Sequence, residues 1–233
     1  MKVECLKQKT TYFVQQIKNY NSTEDTFNPW KDYDPLYDCT PDAPTIRTAH
    51  LTEYLKRRVG RAKYLLVAEA VGYQGAKFSG VPLVSERILL GNQEGINVRN
   101  IMGKFSPART SSGNGASSKA VKRLGYAEPT ATIVWDLVQQ LSLSPMDIML
   151  WNIFPYHPFK KEQGMLSNRT PRMSELSEGK EYLDLLMKLC SPGAKIIAIG
   201  EKSASVLGEK CLKVRHPANG GATLFRKQLP LII

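Results

Sequence analysis

The sequence predicts an α/β protein, a three-layer α/β/α arrangement around a central, mostly parallel four-stranded sheet. Four short, nearly continuous apolar runs at 63–70, 147–154, 194–200 and 211–217 carry that prediction. Such runs suit strands buried on both faces, as in a parallel sheet. Segments with helical apolar spacing lie between them, and strands alternating with helices specify a parallel sheet. With 233 residues, 42% hydrophobic and 23% charged, the chain has the composition of a soluble globular protein with a sizeable core.

Residues 3–20 read as a helix, with Phe13, Ile17 and Tyr20 spaced by four and three. The stretch TFNPWKDYDPLYDCTPDAPT holds four prolines and no period, which describes an ordered loop laid over the domain. Residues 46–58 look helical and end in Lys56-Arg57-Arg58 before Gly60. That basic triplet is either a solvated helix end or a phosphate contact. Residues 1–60 thus form a cover over an α/β core at 61–233, within one domain.

The first strand, KYLLVAEA, empties into VGYQGAKFSGVP, a loop with three glycines. Glycine allows backbone approaches that a side chain forbids, and such a loop is the usual edge of a ligand crevice. Helical patterns follow at 85–91, 130–143, 177–190 and 201–208. Between the first two, residues 104–123 are Ser/Gly-rich and basic, and read as a mobile excursion able to touch phosphates. They lack the glycine and Lys-Ser/Thr spacing of a P-loop.

Lys and Arg number 32 against 21 Asp and Glu, a net charge of +11 that favours a polyanionic partner. The N-terminus has no apolar run of signal-peptide kind, and no segment reaches the ~18 apolar residues of a membrane span. Cys5, Cys39, Cys190 and Cys211 are far apart and form no C-x-x-C pair. A disulfide framework and a zinc or iron–sulfur site are therefore not expected, nor is any cofactor. The expected setting is reducing and cytoplasmic.

Ligands of open α/β sheets bind outside the carboxyl ends of the strands. Polar residues stand where the apolar runs stop: Glu69, Asn152, His157 and His216. Asn152 alone reads equally as a strand-end hydrogen bonder, and His157 as a cap on the Pro155–Pro158 turn. Gathered on one sheet edge of a basic protein, the set marks a site.

In order and spacing, the set resembles the uracil-DNA glycosylase superfamily. That family has a first strand entering a glycine loop, a Gly-x-Pro-Phe closure, a strand-end asparagine and a final His-Pro loop. Here these are Ala68-Glu69-Ala70-Val71-Gly72, Gly80-Val81-Pro82-Leu83, Asn152, and His216-Pro217-Ala218-Asn219-Gly220-Gly221. The resemblance runs from residue 63 to about 229. It implies a monomer that flips a deaminated base out of DNA and cuts its bond to the sugar. By resemblance His216 donates toward uracil O2 as negative charge develops. Asn152 pairs with N3–H and O4, and backbone around Glu69 and Ala70 helps hold the base. Gly80, Pro82, Pro217, Asn219 and Gly220 fall on the family's DNA-contacting loops.

The sequence also departs from the family. Ala70 stands where the best-known members place a water-positioning aspartate, leaving Glu69 as the candidate for that task. Gly72 replaces a tyrosine that excludes the thymine methyl in some members. Leu83 replaces the phenylalanine on which uracil stacks, with Phe78 or Phe154 as possible substitutes. Leu224, with Thr223 and Arg226 beside it, either fills the gap left by the flipped base or begins a last helix that faces the core. An inactive DNA-binding module and a hypoxanthine- or xanthine-specific enzyme stand as alternatives.

Overall fold

The computed structural model describes residues 2–116, 118–208 and 211–233. In chain order its elements are α1 (Lys2–Lys18), β1 (Thr26–Phe27), α2 (Ala43–Lys56), β2 (Tyr64–Ala70), and the single turns α3 (Ala76–Ser79), α4 (Glu86–Leu89) and α5 (Arg99–Met102). Then come α6 (Lys119–Leu124), α7 (Pro129–Val138), β3 (Ile148–Phe154), β4 (His157–Pro158), α8 (Met173–Met187), β5 (Lys195–Ile199), α9 (Glu201–Leu207), β6 (Leu212–Val214) and α10 (Ala222–Ile232).

The central sheet has the order β3-β2-β5-β6, and every neighbouring pair is parallel. Tyr64 lies opposite both Ile148 and Lys195, and Ala68 opposite Asn152. All seven residues of β3 are buried. Since successive side chains point to opposite faces, helices must cover both sides of this strand. The long apolar runs in the sequence have this cause. α8 packs on β3, α9 on β2 and β5, and α10 on β6. In α8, Leu176, Leu183 and Leu186 form the buried stripe, and Glu175 accepts from the Arg172 backbone N–H at its start.

The N-terminal cover is more structured than its composition implies. α2 begins at Ala43 with Pro44 in its first turn, where a missing N–H costs nothing. β1 pairs antiparallel with β4. Trp30 stacks parallel to Trp151 with ring centroids 6.3 Å apart, and its indole N–H donates to the Gly80 carbonyl at 2.9 Å. Two expectations are corrected here. Arg58 is fully buried and donates to the carbonyls of Ile148, Tyr54 and Ile101, so it reaches no phosphate. The 104–123 segment is pinned rather than mobile at its centre: buried Glu86 accepts from the backbone N–H groups of Thr110 and Ser111 at 3.0 and 2.9 Å. Ser117 of that segment lies outside the described residues. No helix among the described residues is long and apolar enough to cross a membrane.

Candidate active site

The chain leaves β2 toward β3 on one side, and later leaves β5 toward β6 on the other. Loops that part in this way open a crevice at the carboxyl ends of the strands. A pocket of about 460 Å³ lies there, lined by residues 68–72, Leu83, Asn152, His216 and parts of the 160–171 segment. A second crevice of about 280 Å³ adjoins it beside Gly200, Lys202, Arg215 and Asn219. Glu69 and His216 line both.

The backbone N–H of Ala218 donates to His216 Nδ1 at 3.1 Å. An N–H can only donate, so Nδ1 carries the lone pair and the neutral ring holds its proton on Nε2. Burial first, and then the neighbouring Arg215, hold the His216 pKa below the ordinary imidazole value, which favours this neutral donor form. The loop that makes the contact turns tightly: a side chain at Gly221 would collide with the His216 carbonyl oxygen. Asn219 and Gly220 take positive φ on the way.

Asn152 is 2% exposed, and its amide donates to the Ala70 carbonyl at 3.0 Å. That bond fixes the amide and leaves Oδ1 and a second N–H. Gly72 is steadied from outside, since Asn168 accepts from the Tyr73 backbone N–H at 3.0 Å. Glu69 lies 3.4 Å from Lys202 Nζ, which also donates to the Thr170 hydroxyl at 3.2 Å. Leu83 walls the pocket with φ of 54°, a left-handed backbone rare for a leucine, and its carbonyl accepts from the Trp135 indole at 2.9 Å.

Other candidates fall elsewhere. Phe78 is fully buried, stacked on Tyr126 at 4.5 Å with Lys77 over its ring, and does not line the pocket. Phe154 is buried against Tyr20 and Tyr156. Gly80 and Pro82 are buried, so they present no surface to DNA; Gly80 has φ of 71°, and the Arg47 backbone lies 2.6 Å from where its Cβ would be. Pro217 is buried, whereas Asn219 and Gly220 are exposed. Leu224 is 51% exposed on the first turn of α10, so it does not face the core. Arg226 pairs with Asp136 at 2.6 Å and ties α10 to α7. His157 does more than cap a turn: fully buried, it places one ring nitrogen 3.1 Å from the Val71 carbonyl and the other 2.9 Å from that of Met165. Burial lowers its pKa to about 4.

Three contributors were not visible in the sequence. Asn168 sits in a polar stretch without periodicity, and Lys202 in the first turn of α9, where nothing in the helical pattern sets it apart from a solvated lysine. Glu128 also lines the pocket, and its one sequence signal is a place just before Pro129 at the start of a helical pattern.

The sequence matches no protein-family model and no curated protein. Among solved structures it is similar to wild-type SMUG2 of Pedobacter heparinus, with a TM-score of 0.61 over 96% of each chain. The fold resembles that of SMUG2. At 10% identity the likeness speaks for the architecture, and the site must be argued from its own residues.

Proposed function

We propose that this protein is a DNA glycosylase that hydrolyses the bond between deoxyribose and uracil, or a related deaminated base. One observation carries the reading: a neutral His216, its proton on Nε2, shares a strand-end pocket with a fixed Asn152 amide. The likeness to SMUG2 in fold and the net charge of +11 support it.

The flipped base enters the pocket against Leu83. Asn152 accepts from N3–H through Oδ1 and donates to O4 through its remaining N–H. Cytosine presents the opposite pattern and would leave both groups unpaired. As the bond to C1′ breaks, the base takes the electron pair, and His216 Nε2–H donates to O2 where that charge gathers. One such donor contributes about 10²–10³ in rate. Glu69, held by Lys202, orients the water that adds to C1′, and the protein acts as a monomer.

The test is base release from oligonucleotides carrying uracil, hypoxanthine, xanthine or mismatched thymine, single- and double-stranded, by wild type beside His216→Ala. Release that falls about 100- to 1000-fold in the variant is expected. Intact oligonucleotides throughout, with DNA still bound, would instead identify a non-hydrolytic DNA-binding module, the reading that the missing aspartate and phenylalanine favour.

A further inference from the structure

We propose that Glu128 is a further base-reading residue of this pocket, presenting a carboxylic acid O–H to a carbonyl oxygen of the extruded base. The inference rests on the glycosylase reading above. Glu128 lines the pocket at the start of α7, where its carboxyl lies over the glycine loop. A Cβ at Gly75 would come within 2.5 Å of Oε2 and 3.3 Å of Oε1. Oε2 is shielded from solvent and has no hydrogen-bond partner among the described residues.

Every neighbouring charge is engaged elsewhere or stands off. Glu69 on β2 is paired with Lys202. Arg169 in the 160–171 segment is held by Glu175 and Asp25. Lys160 lines the pocket but forms no ion pair with Glu128, and His216 enters as a neutral donor. Tyr73 and Tyr126, edge-to-face beside the glycine loop, bring no positive charge.

An unpaired carboxylate in such a place is costly, and protonation relieves it. Burial pushes the Glu128 carboxyl up to about 7. The protonated acid has an O–H that its own surroundings leave unused, and uracil, hypoxanthine and xanthine all carry carbonyl oxygens. Once deprotonated, the group would repel the same oxygen. Base recognition is therefore present below about pH 7 and fades above it, while protonation of His216 closes the acid side below its ordinary value.

Glu128→Gln keeps the shape and a permanent donor, whereas Glu128→Leu keeps neither. The experiment is single-turnover uracil release between about pH 5 and 9 by wild type and both variants. It is paired with binding of an oligonucleotide carrying uncleavable 2′-fluorodeoxyuridine at about pH 6 and 8. Wild-type release should fall about tenfold across the alkaline half of the range, the upper end of what one ordinary hydrogen bond contributes. Gln should remove that fall while keeping the acid limb, and Leu should be slow throughout. Binding should weaken with pH for wild type and stay level for Gln. An alkaline limb that persists in Gln, or Gln as slow as Leu, overturns the role of Glu128 and leaves the glycosylase reading intact. Neither release nor preference for the fluorinated oligonucleotide over plain duplex overturns both.

Discussion

The N-terminal cover and the pocket treat buried charge in opposite ways. In and under the cover each buried ion has partners. Arg47 bonds Asp38 at 2.7 Å and also donates to the Pro29 and Asp32 carbonyls. Lys77 meets Asp34 at 3.0 Å, and Glu86 accepts from Thr110 and Ser111. At the pocket, Glu128 has an oxygen shielded from water and no partner among the described residues. Paired charges fix one arrangement of a loop that has no period of its own, whereas an unpaired carboxyl keeps a proton near neutrality. One arrangement serves the architecture, the other the site.

The hardest way to break this comparison is to remove a partner from the cover. Asp38→Ala leaves Arg47 buried and uncompensated and should cost about 3–5 kcal/mol, read as a lower urea midpoint with an unchanged slope. Base release per folded molecule should not change, since Asp38 is absent from the pocket lining.

A smaller effect of opposite sign is expected for Glu128→Gln. A carboxyl raised from 4.5 to about 7 binds its proton more tightly in the folded state, so the native protein loses stability as pH climbs through that interval. Gln has no proton to lose. The variant should match wild type near pH 4 and exceed it above pH 7 by on the order of 2 kcal/mol, discounted for partial exposure. Urea titrations at the two ends check it, and equal stability at both ends would make the pocket carboxyl as well compensated as the ions of the cover.

The smallest effect belongs to the rim. Lys202 is 62% exposed, so its pair with Glu69 should contribute less than about 1 kcal/mol to stability. If Lys202 holds the carboxylate that orients water, Lys202→Met slows release at saturating DNA without moving the urea midpoint.

Strands β2 and β3 were legible because both of their faces are covered. The apolar runs 63–70 and 147–154 match β2 and β3 to within a residue, since burial on both faces leaves no polar alternation to blur the ends. Asn152 and His216 were legible as polar residues closing such runs. The glycine loop was misjudged because its second half dives under the cover, where Gly80 packs on Arg47 and Phe78 on Tyr126. Nothing local distinguishes a loop that touches a ligand from one that touches its own chain. Glu128 and the 160–171 segment reach the pocket through tertiary placement alone, which no periodicity records.

Leu83 has a consequence for the pocket's chemical alphabet. Its φ of 54° is comfortable for glycine or asparagine, neither of which offers an apolar wall, and is hostile to valine and isoleucine. The Trp135 indole holds the carbonyl of this residue and so keeps the backbone where it is. Only apolar side chains that are not branched at Cβ, leucine among them, can furnish a wall here, each at a conformational cost of about 1–2 kcal/mol. Drift at this position is therefore confined to a few letters, and under the proposed glycosylase function a broader choice of base would have to begin at a different residue.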